Sequence, residues 1–136
     1  MLTSVEILLV EDNPNDAELS CLTLRKNHFD NIKIAGDGEQ ALDFIFGRGV
    51  YSQRDINDRP GLILLDLKLP KVDGLEVLKH LKSDARTRSI PVIILTSSVA
   101  ERDIMQTYAL GGNGYIAKPL DFNQFTEALQ QLGLMG

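Results

Sequence analysis

The sequence predicts an α/β fold in which helices cover a parallel β-sheet. Near-continuous apolar runs such as Ile7–Val10 and Leu62–Leu65 are typical of strands that are buried on both faces. Amphipathic segments alternate with these runs, which is the sequence form of a parallel α/β sheet. Four of the runs end in polar residues, and ligands bind at the carboxyl ends of the strands in doubly wound sheets.

The first half of the chain is predicted to hold three strands and two helices. The strands span about residues 5–10, 31–35 and 62–66, and the helices about 14–28 and 39–46. Asn13 is a good N-cap residue, and Pro14 suits the first helical position. Ile32 and Ile34 alternate with Lys33, which favours an edge position for the second strand.

The second half continues the alternation. Two strands are predicted at about 91–95 and 115–117, and three helices at about 74–82, 100–109 and 122–132. In the first of these helices, Leu75, Leu78 and Leu81 recur at helical spacing and are expected to face the core. The glycine-rich run 111–114 ends the next helix. The charged residues between Lys79 and Arg88 are expected to form a solvated face.

Length and composition are those of one globular domain, which we expect to span residues 1–136. The chain is 43% hydrophobic and 24% charged, and its net charge of −5 argues against direct nucleic-acid binding. No apolar run is long enough to span a bilayer, and no basic segment precedes the first run. A lone cysteine, Cys21, cannot form an internal disulfide and is expected in the core. Together these features predict a cytoplasmic protein.

Acids, a hydroxyl and an ammonium group follow four of the predicted strands. Glu11-Asp12, Asp66, Thr96 and Lys118 stand at these strand ends. Carboxylates crowded into one cleft repel one another, and a hard divalent cation relieves that repulsion. Mg²⁺ prefers oxygen ligands, so we expect Asp12 and Asp66 to bind it directly and Glu11 to bind it directly or through water.

Several motifs in this order resemble the receiver domain of two-component response regulators. They are Glu11-Asp12, the spacing from Asp66 through Pro70 to Gly74, Thr96-Ser97 and Lys118-Pro119. The resemblance covers residues 5–134. It implies a flavodoxin-like fold, in which five helices flank a five-stranded parallel sheet of order 2-1-3-4-5.

The resemblance implies a role for each site residue. Asp66 would accept a phosphoryl group from a histidine kinase, while Lys118 and Thr96 would contact the transferred oxygens. The backbone carbonyl of Lys68 would complete the protein ligands of the Mg²⁺ ion. The peptide bond before Pro119 would be cis, although most bonds before proline are trans.

The resemblance also implies a conformational switch. Thr96 would move toward the phosphoryl group and Tyr115 would swing inward, although a permanently buried Tyr115 ring is the alternative. Met105 and Tyr108 would then contact a partner, but helical spacing alone would equally allow core positions.

We expect no output domain after the last helix. The chain would therefore signal by binding another protein, by forming a homodimer, or by passing its phosphoryl group to a histidine phosphotransfer protein. Ser97, Ser98 and Lys68 could tune the lifetime of the phosphoryl group.

Residues 47–61 form an unusually long connection between a helix and a strand, because such loops usually take about 2–6 residues. It holds Tyr51 and Ile56 among charged residues. One interpretation is an extended second helix followed by a solvated loop; the other is a partner surface. This segment, with the apolar run 44–46 before it, is similar to response regulators that pair with cyanobacterial and bacterial phytochromes. A phytochrome-type kinase is therefore a candidate partner.

Two other functional classes are compatible with an acid at the end of a strand. One is a Mg²⁺-dependent aspartyl phosphatase resembling haloacid dehalogenases, but Lys68 stands where such enzymes carry a second aspartate. The other is a flavin-binding domain, but the acids at 11–12 would repel a flavin phosphate. His28 and His80 lack partners at metal-ligand spacing.

Overall fold

The computed structural model describes residues 5–55, 58–97 and 100–134. One parallel sheet has the strand order β2-β1-β3-β4-β5, which confirms the predicted fold class and topology. The strands are β1 (Ile7–Val10), β2 (Ile32–Ala35), β3 (Leu62–Leu65), β4 (Val92–Thr96) and β5 (Gly114–Ala117). The helices are α1 (Pro14–Lys26), α2 (Gly38–Phe46), α3 (Gly74–Ser83), α4 (Glu101–Ala109) and α5 (Phe122–Gln131).

Most element boundaries lie within two residues of the predicted ones. Three differences matter for the residues at strand ends. β1 begins at Ile7 rather than at residue 5, and β3 ends at Leu65, so that Asp66 follows the strand. Thr96 is the last residue of β4 rather than the residue after it. Within the described ranges, no helix combines the length and the apolar character that crossing a bilayer requires.

The central strands are buried on both faces because helices pack on either side of the sheet. Successive side chains of a strand point to opposite faces. Leu8 and Ile63 accordingly belong to a core cluster with α2 and α3, whereas Leu9 and Leu64 belong to one with α1 and α5. The second cluster includes Cys21, and burial raises the pKa of its thiol, as expected of an unreactive core cysteine.

The edge strand β2 differs from the strands inside the sheet. Its first three residues are half-buried or exposed, and Ile34 keeps 50% of its surface accessible. This confirms the edge position that the alternation with Lys33 predicted.

The side chain of Lys82 corrects one expectation. Its ammonium donates to the carbonyls of Arg88 at 3.1 Å and Ile90 at 2.7 Å, and to Oδ1 of Asn113 at 3.0 Å. Burial lowers the pKa of Lys82. The prediction of a solvated face is therefore wrong for Lys82, which joins the end of α3 to the turn before β5.

Residues 47–61 do not extend α2. The helix ends because Gly47 adopts a left-handed conformation, with φ of 64°, and a separate 3₁₀ turn follows at Gly49–Tyr51. The Tyr51 ring packs edge-on against Phe44, with centroids 5.2 Å apart. The interpretation as an extended second helix is thus wrong. Ile56 lies outside the described residues.

Arg54 ties this connection to the body of the protein. Its guanidinium lies 3.9 Å from the centroid of the Phe44 ring and donates to the Phe44 carbonyl at 3.0 Å. It also lies 3.6 Å from the carboxylate of Glu6, just before β1. Gly61 closes the connection by donating its N–H to the Glu6 carbonyl. The connection therefore packs against the amino-terminal edge of the sheet.

Among the described residues, side chains cap the start of four helices but not that of α4. Backbone N–H groups in the first turns of α1, α2, α3 and α5 donate to the side chains of Asn13, Asp37, Asp73 and Asp121. Ala100 precedes α4 and offers no such acceptor. Since a cap contributes about 0.5–2 kcal/mol, α4 lacks a stabilising interaction that the other helices have.

The buried face of α4 is also unusual. Among residues 102–109, whose side chains are described, only Thr107 is buried, and its hydroxyl has no hydrogen-bond partner. A buried polar group without a partner costs about 1–3 kcal/mol. The unpaired hydroxyl of Thr107 therefore offsets part of the stabilisation that its burial gives to α4.

Replacing Thr107 by valine should stabilise the protein. The Thr107→Val change keeps the shape of the side chain but removes the unpaired hydroxyl, so we expect the free energy of unfolding to rise by about 1 kcal/mol. Urea unfolding measures this change. Thr126→Val is the matched control, because the Thr126 hydroxyl donates to the Asn123 carbonyl within α5. A Thr107→Val protein less stable than wild type would contradict the prediction.

Candidate functional site

The sheet register brings two acids to the same level. Val10 pairs with Leu65, and Leu65 pairs with Ile94. Glu11 and Asp66 each follow the last residue of their strand, and the Asp66 N–H donates to the Val10 carbonyl at 3.1 Å. Their side chains therefore emerge side by side at the carboxyl edge, as the apolar runs predicted.

Glu11, Asp12 and Asp66 form a compact acidic cluster. One carboxylate oxygen from each lies within 4.8 Å of the others. Glu11 is 3% exposed and Asp66 is 5% exposed, whereas Asp12 is open to solvent. Three carboxylates with an open side fit the oxygen ligands and retained waters that Mg²⁺ prefers.

Lys118 reaches into this cluster from the end of β5. Its ammonium lies 2.8 Å from Oδ2 of Asp66 and 3.1 Å from Oδ2 of Asp16, and it forms a close ion pair with Glu11. The backbone N–H of Lys118 donates to the Thr96 carbonyl at 2.8 Å. The Lys118–Pro119 peptide bond is cis, the isomer that the resemblance implied.

The buried charges shift the pKa of two groups. Burial raises the pKa of the Glu11 carboxyl, and hydrogen bonds from Lys118 and the Asn13 N–H oppose this shift only in part. For Lys118, burial lowers the pKa, but the hydrogen bonds to Asp66, Glu11 and Asp16 outweigh it and raise the pKa above its ordinary value. Lys118 therefore stays cationic at neutral pH and balances part of the acidic charge.

The backbone behind Asp66 is tightly packed. A Cβ on Gly74 would lie 2.2 Å from the carbonyl oxygen of Asp66 and 2.6 Å from Cα of Leu67. Gly74 also donates its N–H to the Leu67 carbonyl at 3.0 Å, and the Lys68 N–H donates to Oδ1 of Asp66 at 3.2 Å. The absence of a side chain at Gly74 therefore lets the start of α3 approach the loop that carries Asp66.

The remaining predicted residues lie near this edge or along the face beside it. Thr96 is fully buried at the end of β4, and Tyr115 is half-buried against the core. The side chain of Lys68 is exposed, and its carbonyl as a metal ligand stays a prediction. Met105 and Tyr108 are 64% and 52% exposed, so the core alternative is wrong for both.

The movement of Thr96 and the rotation of Tyr115 stay predictions. Ser97 is exposed beside the site, whereas Ser98 lies outside the described residues.

Asp16 is a contact that the sequence reasoning missed. An acid in the first turn of α1 indicates by itself only a favourable interaction with the helix dipole. In the structure its carboxylate binds Lys118, which is 102 positions away in the chain. The available signal was its place in the first turn of the helix that follows Glu11-Asp12, because that turn starts at the same sheet edge.

A protein-family profile, a characterised relative and solved structures all relate this chain to response regulators. A profile of the response regulator receiver domain matches residues 7–130. Response regulator Rcp1 of Synechocystis sp. (strain ATCC 27184 / PCC 6803 / Kazusa) is 38% identical over 125 residues, which are 91% of this chain and 83% of that protein. The structure of the Mn²⁺-bound form of Rcp1 superposes with a TM-score of 0.79 at 36% identity, and the match covers 96% of this chain and 94% of the chain in that structure.

Two further solved structures are similar over nearly the whole length. The bacteriophytochrome response regulator AtBRR has a TM-score of 0.88 and 48% identity, covering 98% of this chain and 95% of its own. The phosphorylated cyanobacterial phytochrome response regulator RcpA has a TM-score of 0.78 and 37% identity, covering 95% of this chain and 91% of its own.

Adding a methyl group at Gly74 should disturb the site through its backbone. The Cβ of Gly74→Ala would collide with the Asp66 carbonyl, so we expect unfolding free energy to fall by about 1–3 kcal/mol, the usual cost of overpacking. Urea unfolding tests this. Gly36→Ala is the matched control, because a Cβ there meets only the Gln40 side chain at 3.8 Å. Equal stability of the two variants would contradict the prediction.

Proposed function

The chain belongs to the response regulator receiver domain family, and from this membership we propose that Asp66 accepts a phosphoryl group from a histidine kinase in a Mg²⁺-dependent reaction. The observation that carries the proposal is the surroundings of Asp66. This buried carboxylate directly follows the central strand β3, receives a hydrogen bond from Lys118 and lies beside Glu11 and Asp12.

The acidic cluster supplies the metal ligands in this proposal. Glu11, Asp12 and Asp66 would hold the ion, together with the backbone carbonyl of Lys68. When bound, Mg²⁺ would neutralise acidic charge and provide a ligand position for a phosphoryl oxygen. A Mn²⁺-bound form is known for the relative Rcp1, which supports a divalent cation at an acidic site of this type.

Phosphoryl transfer needs little acid–base chemistry from the protein. A carboxylate oxygen of Asp66 attacks phosphorus and forms an acyl phosphate, while the bond from phosphorus to the donor breaks and its electron pair leaves with the donor. A carboxylate nucleophile has no proton to lose when it attacks, so the step needs no general base. Lys118 would contact a second phosphoryl oxygen and stabilise the charge in the transition state, and Thr96 would donate to a third.

The proposed role is that of a signalling phosphoacceptor that assists its own phosphorylation and dephosphorylation. Lys68 in place of a second aspartate disfavours a multiple-turnover aspartyl phosphatase. The acids at the sheet edge disfavour a flavin phosphate. A phosphorelay shuttle, which passes its phosphoryl group to a phosphotransfer protein, uses the same site and remains the second candidate.

The output would be a change in protein–protein contacts. A phosphoryl group adds about −1.5 to −2 charge and new acceptor oxygens, which would draw Thr96 inward and bias Tyr115. The exposed side chains of Met105 and Tyr108 are available to a downstream protein or to a second copy of the chain. The prediction of a cytoplasmic protein without direct nucleic-acid contact is part of this proposal.

A phytochrome-type kinase is the upstream partner we propose. The similarity to AtBRR and RcpA supports it. The described residues of this segment, 47–55 and 58–61, approach the amino-terminal sheet edge through the contacts of Arg54 and Gly61 with Glu6, whereas Asp66 lies at the carboxyl edge. This segment would therefore contribute to kinase binding rather than to the phosphoryl-transfer step. Val50, which is 91% exposed in the 3₁₀ turn Gly49–Tyr51, is the candidate contact.

Incubation with acetyl phosphate and Mg²⁺ should yield a single phosphoryl adduct on the intact protein. We expect Asp66→Asn to abolish the adduct, because an amide is a poor nucleophile, and omission of Mg²⁺ to suppress it. Intact-protein mass spectrometry measures both effects. Asp73→Asn is a matched control, because Asp73 caps α3 outside the acidic cluster. An adduct that survives in Asp66→Asn would refute Asp66 as the acceptor.

Kinase transfer should depend on Val50 through binding. With a phosphorylated phytochrome kinase as donor, we expect Val50→Glu to raise KM roughly tenfold at unchanged kcat, because an exposed apolar contact is lost. Acetyl phosphate should modify the variant at the wild-type rate. The control is Leu19→Glu, which places the same charge at another exposed apolar position, on α1. It shows whether any added surface charge raises KM. A wild-type KM for Val50→Glu would remove this contact from the proposal.

A further inference from the structure

Among the described residues, three carboxylates contact the ammonium of Lys118, and two of them also belong to the acidic cluster. An ammonium group offers three donors, and here they face Glu11, Asp16 and Asp66. Glu11 and Asp66 also belong to the acidic cluster that would bind a divalent cation. A bound cation would therefore compete with Lys118 for the same two carboxylates.

Asp16 is the one described partner of Lys118 outside the acidic cluster. Its Oδ2 accepts from the ammonium at 3.1 Å. If Glu11 and Asp66 bound a cation, and Asp66 carried a phosphoryl group, Asp16 could still accept a hydrogen bond from Lys118. Without it, a cation-filled site would leave the ammonium with no carboxylate to hold it near the reacting oxygen.

The fold holds Asp16 in place for this contact. Its backbone N–H donates to Oδ1 of Asn13 at 3.1 Å, within the cap of α1. A carboxylate in the first turn of a helix is favoured by the helix dipole. Its side chain is 38% exposed, while that of Lys118 is 13% exposed, so the contact lies at the rim of the site. Asp16 thus stands beside the cluster without being enclosed by it.

We propose that Asp16 is a positioning residue, which keeps Lys118 aimed at the phosphoryl position once Glu11 and Asp66 bind a cation. This inference rests on the proposed function. It assigns Asp16 no contact with the phosphoryl group or with the ion, and its effect passes through Lys118.

The test is a double-mutant cycle between Asp16 and Lys118. In the presence of Lys118, Asp16→Asn should slow phosphorylation by acetyl phosphate roughly 5- to 30-fold, the factor that one or two kcal/mol represents. In a Lys118→Ala background, where the rate is already low, the same change should alter the rate less than about twofold. Asp16→Asn keeps the size of the side chain and removes its charge.

Mg²⁺ affinity, measured by calorimetry without any phosphodonor, gives a second readout. Asp16→Asn should weaken Mg²⁺ binding more than Glu18→Gln does, because the displaced ammonium then loses its remaining carboxylate. Glu18 is exposed on the same helix, so the control removes the same charge. In the Lys118→Ala background, the two changes should have equal effects.

The outcomes separate this inference from the proposed function. Wild-type protein that forms the adduct and binds Mg²⁺, with Asp16→Asn equivalent to Glu18→Gln in both assays, overturns the role of Asp16 alone. An Asp16→Asn effect that persists unchanged in the Lys118→Ala background also overturns it. Wild-type protein that neither binds Mg²⁺ nor forms an adduct overturns the proposed function, and this inference with it.

Discussion

Four acidic side chains and one ammonium share the carboxyl edge of the sheet, and their charge balance is the constraint around which the site is built. Asp66 and Glu11 are almost completely buried there. Two buried carboxylates at this distance are costly unless a cation compensates them. Lys118 provides that compensation in the structure, with Asp16 as its third partner. The charges are balanced, yet the carboxylates can still bind a ligand, because a divalent cation or a phosphoryl group could replace part of these contacts.

The packing of the sheet makes this balance attainable. Parallel pairing sets Val10, Leu65 and Ile94 side by side, so the residues that follow them meet at one level. The helices return from the opposite edge and begin again near the site, which brings the first turn of α1 and its Asp16 beside Lys118. Gly74 allows α3 to start directly behind Asp66, since any Cβ there would strike the backbone. The packing of the strands and helices therefore also sets the geometry of the site.

Regions away from the site differ in how firmly they are held. In the connection between α2 and β3, Arg54 and Tyr51 bind residues 47–55 to Phe44. Helix α4 is held less firmly, because its N-cap residue Ala100 offers no side-chain acceptor and the hydroxyl of its buried Thr107 has no partner among the described residues. A weakly anchored helix beside β5 suits an element that shifts between two positions, whereas the tied connection suits a rigid contact surface.

The sequence by itself determined the α/β class, the sheet order through its resemblance to receiver domains, and the identity of the acidic cluster and Lys118. These features follow from local pattern, because apolar runs mark buried strands and parallel strands end at a common edge. Only the tertiary structure decided that Asp16 binds Lys118, that Lys82 donates to backbone carbonyls, and that Arg54 binds the connection after α2 to Phe44 and Glu6. These outcomes depend on distances between side chains and segments that meet only in the folded protein, and hydrophobic periodicity does not encode such distances.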